Sequence, residues 1–419
     1  MKKHFLIYLL TVVSSFAVFT AHGEWYKGAL HLHSLRSDGD GAPEVPVAWY
    51  KEHGWNFVCV TEHNQMQSGE RFRNISEEKA PKPEQVAALR RQFGDAWVET
   101  VKEDGQEKLR LKTFEEMKKH FDDQNAFLLM HGEEITSIGS GPHVGAINLV
   151  EQIPARGKGD VVAAARLYHE TVVAQSAEKG QPMLAILNHP NFADAVTIEE
   201  MLQLPEYCFF EVYNGHPSVN NWGHPGKGYP STDCWWDVVL TLRISQGEKS
   251  PLLGVATDDA HDYYKWGTGE ANPGRGWVMV NAPVLEVNAL LKALETGEFY
   301  ASTGVVLDDI RRDGAGLSFT IKGEPDVTYT TRFLGTRKGF SKESWEYNND
   351  KGETPERASR VYGEDIGVVL SEAEGLNPAF RFVGDELYVR AVVISNKKHS
   401  NPFHDGDVEM AWVQPVVAN

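Results

Sequence analysis

Histidines and carboxylates recur just beyond short apolar runs in this sequence. His31-Leu-His33 closes the run 29–32, Glu62-His63 follows 57–61, and Glu133-Glu134 follows 126–130. Asn188-His189-Pro190 follows 183–187, Glu211-Val-Tyr-Asn214 ends 208–213, and Asp258-Asp259-Ala-His261 follows 252–256. Imidazole nitrogens bind first-row metal ions, while carboxylates neutralise their charge and can bridge two of them. A mixed cluster without thiolates therefore suits Zn, Mn or Fe. In His31-x-His33, strand alternation puts both rings on one side, so one strand can supply two ligands. A lone histidine is more simply a packed or surface residue, and that reading is given to His4, His53, His120, His131, His169 and His404. Several histidines and carboxylates placed after successive runs resist it, because burying each unpaired costs on the order of several kcal/mol.

The elements that must position these residues follow from the runs themselves. Together with 144–150 they are dense in Val, Ile, Leu and Phe without polar alternation, as strands buried on both faces should be. Between them, residues 45–53, 160–178 and 284–295 have helical period, the last closing at Gly297. The alternation predicts an α/β fold, a parallel βα barrel over residues 24–307. In such a barrel the ends of all strands share one rim, where sequence-distant side chains meet. Residues 66–125 interrupt the pattern with Pro81, Pro83, a charged helical stretch at 84–93, a hairpin around Asp104-Gly105 and a helix near 114–121. They read as an elaborated connection at that rim. After Gly304 short β-like segments at 317–321, 327–333, 379–383 and 387–394 alternate with Gly, Asp and Asn, and predict a separate all-β, sandwich-like module over 308–419.

The chain opens with Met1-Lys2-Lys3, an apolar run over 5–19 and the small-residue pattern Ala21-His22-Gly23. That is the pattern of a signal peptide over 1–23, and it predicts an exported, periplasmic or extracellular protein with no membrane span after cleavage. The run is short beside the roughly 20 apolar residues a span needs. A net charge of −18 over 419 residues argues against nucleic-acid or anionic-membrane partners. Of the three cysteines, Cys59 sits in an apolar run and reads as a buried hydrophobe, Cys208 and Cys234 could pair in an oxidising compartment, and no CxxC spacing exists.

Seven segments carry a family resemblance. His31-Leu-His33-Ser34, Ser37-Asp38-Gly39, Thr61-Glu62-His63-Asn64, Gly132-Glu133-Glu134-Ile135, Gly141-Pro142-His143, Asn188-His189-Pro190 and Thr257-Asp258-Asp259-Ala260-His261 stand in that order within residues 25–305. The set resembles the PHP (polymerase and histidinol phosphatase) superfamily. That resemblance implies a distorted (β/α)7-type barrel with its site at the strand C-termini. It also implies a site for two or three divalent ions. His31, His33, Glu134 and Asp259 would surround one ion, and Glu134 would bridge to a second held by His143 and His189. Asp38, His63 and His261 would hold a third. Glu62 stands where many members carry Asp, which alters an outer contact, and the spacing from Gly132 favours Glu134 over Glu133 as the bridge. Glu211-Val-Tyr-Asn-Gly215, Trp236-Asp237, Gly274-Arg275-Gly276-Trp277 and the segment 299–304 are similar to the secreted, carbaryl-hydrolase-like branch of that superfamily. Trp222, Tyr229, Trp235, Trp236 and Trp266 serve either a pocket or packing.

The chemistry the resemblance implies is hydrolysis of a phosphoester, since clustered divalent ions acidify a bound water, polarise phosphoryl oxygens and stabilise the leaving oxygen. Glu134, Asp259 and Arg275 are the expected catalytic residues. Arg275, between two glycines, has a planar guanidinium that can hold two phosphoryl oxygens, or else makes a structural pair. Glu62, Asp258, Glu211 and Asn214 are expected to accept the outer N–H groups of metal-bound imidazoles. No Gly-x-Ser-x-Gly nucleophile elbow is present. The same site would also serve a carboxylester, carbamate or amide, and a non-catalytic metal- or ligand-binding protein is the third reading. The partner expected of a metal-dependent hydrolase is a small molecule with a phosphoester or ester bond.

Overall fold

A computed structural model describes residues 23–139, 141–157, 159–402 and 404–418. Apart from Gly23, the expected signal peptide lies outside them. The first half of the fold comprises β1 (Glu24–Ala29), α1 (Glu44–Glu52), β2 (Phe57–Val60), β3 (Arg71–Asn74), α2 (Pro83–Phe93), β4 (Thr100–Glu103), β5 (Gln106–Leu111), α3 (Phe114–Phe121), β6 (Leu128–Thr136), β7 (His143–Ile147) and α4 (Val161–Lys179). It continues with β8 (Leu184–Leu187), α5 (Ile198–Leu202), β9 (Phe209–Asn214), α6 (Thr232–Ser245), β10 (Leu253–Thr257), β11 (Trp277–Ala282), α7 (Val287–Glu295) and β12 (Phe299–Ser302). The remainder is β13 (Leu307–Asp313), β14 (Gly316–Ile321), β15 (Tyr329–Arg337), β16 (Ser344–Trp345), β17 (Val361–Tyr362), β18 (Val368–Glu374), β19 (Ala379–Arg381), β20 (Glu386–Lys398) and β21 (Val408–Val417). Among the described residues no helix is long and apolar enough to cross a membrane.

Thirteen strands form one sheet in the order β10-β9-β8-β7-β6-β2-β1-β11-β12-β21-β20-β15-β18. The pairs β1–β2, β2–β6, β8–β9 and β9–β10 are parallel, as the sequence predicts. The all-parallel expectation is corrected at β7, which runs antiparallel to both β6 and β8. Its connection to β6 spans only residues 137–142, and a parallel return needs a crossover of a dozen or more. The first strand also lies earlier than expected, because β1 pairs antiparallel with β11 from Glu24 to Gly28. Residues 30–33 instead continue toward the end of β10: Asp259 N–H donates to His31 O at 3.1 Å and His33 N–H to Ala260 O at 2.9 Å.

Beneath these strand ends lies one apolar cluster that includes Tyr26, Cys59, Met130, Ile147, Ile186, Phe209 and Val255, so β1, β2 and β6 through β10 all contribute to it. Each such side chain contributes about 1.5–3 kcal/mol on burial, and the cluster forms a rigid floor for the polar residues above. The connection between β2 and β6 carries the helices and hairpin expected of it, and adds β3 to give the small sheet β3-β5-β4. No helix occurs among the described residues after β12, in keeping with an all-β region. That region is nevertheless continuous with the first, since β21 pairs with β12 from Tyr300 to Ser302. The side chain of Gln414 on β21 also reaches β10, accepting from Gly254 N–H at 2.9 Å and donating to Gly254 O at 2.8 Å.

Candidate metal centre

Each strand end brings its polar residue to the same place. His31 and His33 follow β1, their Nε2 atoms 3.1 Å apart. His63 follows β2 and lies beside Glu134 of β6 in a parallel bridge. His143 opens β7, and only the antiparallel course of that strand puts its first residue level with the end of β8, where Asn188 N–H donates to His143 O at 3.0 Å. His189 follows β8, and Asp259 and His261 follow β10. Asp38 comes from the turn after His33. His189 (φ 20°) and Asp259 (φ 51°) hold left-handed backbone, a strain of about 1–3 kcal/mol each that the surrounding hydrogen bonds sustain.

Glu134 is the hub. Its Oε1 lies 3.4 Å from His31 Nε2, 3.3 Å from His143 Nδ1 and 3.0 Å from His189 Nε2, and its Oε2 lies 2.7 Å from His63 Nδ1 and 3.6 Å from His33 Nε2. Asp259 Oδ1 lies 3.2 and 3.1 Å from the Nε2 atoms of His31 and His33. Asp38 closes the outer side, 3.5 Å from His63 and 3.3 Å from His261. Ligand atoms fall within 4.8 Å of one another in the sets His33, Asp38, His63, His261; His31, His33, Glu134; and Glu134, His143, His189. Asp259 adds its oxygen to the second set, and all nine residues singled out from the sequence are thereby brought together. A fourth set, His31, His189 and Glu211, includes a carboxylate the sequence placed one layer out.

Burial alone would discharge these groups, and their neighbours decide otherwise. Burial pushes Glu134 and Asp259 upward, but the surrounding imidazoles hold both well below the usual carboxylate range. Burial depresses His31, yet Asp259, Glu134 and Glu211 leave it raised well above an ordinary histidine. His33 is driven down to about 3 by burial and then by His261 and His63, so it stays neutral with a free lone pair. The donor set fits divalent ions. Imidazoles and carboxylates converge without thiolates, and Nδ1 of His143, 3.3 Å from Glu134, is buried without a directed hydrogen bond.

The supporting residues divide into two kinds. Glu211 Oε1 lies 2.7 Å from His31 Nδ1 and accepts from Thr257 at 2.7 Å, while its Oε2 accepts from His189 N–H and Asn214, each at 2.8 Å. Asn214 also donates to Asp259 at 3.2 Å, and Asn188 donates to Glu134 Oε1 at 3.0 Å. Glu62 and Asp258, expected against imidazoles, hold backbone instead. Glu62 takes the hydroxyls of Ser34 and Ser37 and both their N–H groups at 3.1 Å, fixing the turn that carries Asp38. Asp258 accepts from Tyr50 and from the consecutive N–H groups of Gly274, Arg275 and Gly276, a wrap that Gly274 permits through its φ of 87°. Glu133, on the opposite face of β6, accepts from Ile153 N–H at 2.8 Å, and burial pushes it up to about 7.

Arg275 is placed differently from its expected role. Its guanidinium is fully buried and donates to Gly215 O and Gly267 O, each at 2.8 Å. Two rim residues escaped the sequence reading. His216 lies 5.1 Å from the His261 ring and accepts Ser218 N–H on Nδ1 at 3.1 Å. Phe192 packs 5.2 Å from His189 and 5.8 Å from His143. Both lie just beyond residues that were noticed, Asn214 and His189, and that nearness is the one signal the sequence offered. All three cysteines are unpaired, including Cys208 and Cys234.

No protein-family model and no curated protein matches the chain. Among solved structures it is similar to a two-domain protein from Bacteroides vulgatus described as containing a predicted PHP-like metal-dependent phosphoesterase. The two are 15% identical, with a TM-score of 0.39 over 94% of this chain and 96% of that one.

Proposed function

We propose that the chain is a metal-dependent hydrolase of the PHP type that cleaves phosphoesters of small molecules. One observation carries this reading: a single carboxylate, Glu134, has five imidazole nitrogens within 3.6 Å of its two oxygens. Structural ion pairs do not gather five bases around one acid, whereas a carboxylate shared between cations does. His31, His33, Glu134 and Asp259 would hold one ion, Glu134, His143 and His189 a second, and Asp38, His63 and His261 a third. Ions bound there would supply Lewis acidity and acidify water.

The chain's own residues prepare for that. Glu211 lies against His31 Nδ1, which leaves Nε2 as the nitrogen an ion would take once it displaced the proton there. Asn188 and Asn214 each spend one N–H on a carboxylate, which fixes the direction of its remaining lone pairs. His216, neutral with Nδ1 accepting, keeps its proton on Nε2 as a donor at the mouth of the site. Arg275 does not serve as the expected clamp, because both terminal nitrogens already donate to carbonyls within the fold. That commitment favours a second reading, a neutral carboxylester or carbamate substrate that needs no guanidinium clamp.

The test compares p-nitrophenyl phosphate, bis(p-nitrophenyl) phosphate and p-nitrophenyl acetate on protein loaded with Zn, Mn or Fe. Phosphate turnover that exceeds acetate turnover and vanishes in Glu134→Gln is the expected result. Faster acetate turnover would favour the second reading, and inactivity on all three would overturn both.

A further inference from the structure

Apart from the metal centre, the chain holds a cavity of about 890 Å³ lined by Lys27, four tryptophans and the segment 400–402. None of the nine cluster residues lines it. Trp55 and Trp277 stand edge to face, 5.5 Å apart at 74°, and the ammonium of Lys27 sits between them, 3.3 and 3.7 Å from the ring centroids. Trp49 lies 5.4 Å from Trp55 and carries His53 stacked on one face at 4.1 Å and 16°, and Trp266 lies 5.8 Å from Trp49 at 34°. The inner pair of indoles is thus closed by the chain's own cation, while Trp266 is 47% exposed. Around these rings stand Thr268, Ser400 and Asp405, whose side chains make no hydrogen bond or ion pair among the described residues.

That combination selects a ligand chemistry. A cationic ligand would meet Lys27 already seated between Trp55 and Trp277. A purely apolar ligand would make no use of the exposed hydroxyls and carboxylate, and would cost about 1–3 kcal/mol for each one it stripped of water. A pyranose ring suits both halves: its axial C–H bonds, slightly positive, lie against the negative faces of indoles, and its hydroxyls meet the polar rim. The volume also falls in the range of about 300–1,000 Å³ usual for small-ligand sites. We propose that this cavity is a carbohydrate-binding site in which the exposed Trp266, backed by Trp49, forms the platform for a sugar ring. It stands apart from the hydrolytic reading, because none of the nine cluster residues lines the cavity and the two sites meet only through supporting residues of α1 and of the loop that carries Gly267 and Gly274.

Isothermal titration of the full chain with cellohexaose, xylohexaose, chitohexaose and hexagalacturonate tests it. At least one hexamer is expected to bind saturably at one per chain. Trp266→Ala and Trp49→Ala should each weaken that binding about tenfold or more, with unchanged far-UV circular dichroism. Trp266 is exposed, so its variant keeps the test open even where Trp49→Ala misfolds. Glu134→Gln should bind sugar as the parent does. Absence of saturable binding for all four, or binding untouched by Trp266→Ala, would overturn the proposal. Sugar binding abolished by Glu134→Gln would do so as well, since it would place the ligand at the metal centre.

Discussion

At the seam between α6 and β20, Arg390 is fully buried. Its Nε and Nη2 each donate to Asp237 at 2.7 Å, Nη1 lies 2.9 Å from Asp233, and Trp236 covers the guanidinium at 4.6 Å. Tyr388 donates to the same Asp237 at 2.7 Å. At the strand ends around Glu134, by contrast, imidazoles crowd upon two carboxylates and upon one another, His31 and His33 meeting nitrogen to nitrogen at 3.1 Å. Both clusters are buried and both are rich in charge. The first holds its one guanidinium against two protein carboxylates, with Nη1 and Asp233 Oδ1 paired as ions but in no directed hydrogen bond. The second gathers more bases than its acids can pair with, a surplus that divalent ions bound there would take up. Burial and charge therefore do not distinguish a structural node from a chemical site; a surplus of imidazoles crowded on one shared carboxylate does.

The contrast can be broken most sharply at Glu134. We expect Glu134→Gln to lower kcat/KM about a thousandfold and to reduce bound metal, while Glu133→Gln stays within about threefold, since an amide cannot be shared by cations as a carboxylate can. Steady-state kinetics beside elemental analysis would show it, and a reversed order would mean that the wrong face of β6 had been taken as the site.

At the other node, Asp237→Asn leaves Arg390 buried with half its pairing and should cost about 3 kcal/mol or more in urea unfolding, with metal content per folded chain unchanged. Loss of metal in that variant would show that the two clusters are not independent. Stripping the ions with a chelator should lower stability by about 2.7 kcal/mol relative to protein at a hundredfold excess of free metal over Kd. A denaturation midpoint indifferent to chelation would remove the premise that the Glu134 cluster awaits cations.

The smallest effect concerns His131, which neighbours the site on β6 without joining it. Its ring stacks on Phe114 at 4.2 Å and 6°, and Nε2 accepts Gln67 N–H at 3.0 Å. Burial, and then Arg36, push it down to about 4. A base depressed on folding contributes stability that is present above its unfolded value of about 6.5 and lost as pH falls toward 4. The loss between pH 6.5 and 5 should approach about 2 kcal/mol. His131→Gln should flatten that part of the stability profile relative to the parent. An identical slope in both would assign the acid sensitivity to other groups.

The sequence was most informative where one residue type has one use. His31, His33, Glu134 and Asp259 could be read because buried acids and bases at strand ends have few structural explanations. The direction of β7 was not legible from hydrophobicity, which is the same read either way, although the short 137–142 connection carried the information. Helix α6 went unread because it is buried nearly all round, from Trp235 to Thr241, so no periodic polar face marks it. The roles of Glu62, Asp258 and Arg275 depend on which hydrogen bonds they make, and residue type alone does not choose between an imidazole, a backbone N–H and a carbonyl.

The amide of Gln414 bonds Gly254 as a neighbouring strand's peptide would, using one acceptor and one donor. Beyond β10 the thirteen-stranded order ends, so this side chain blunts what would otherwise be an open edge. A chain cut after residue 307 would lose both that amide and the partner of β12, exposing two apolar borders able to recruit strands from other molecules. The C-terminal β region thus covers strand borders of the region that carries the candidate metal ligands.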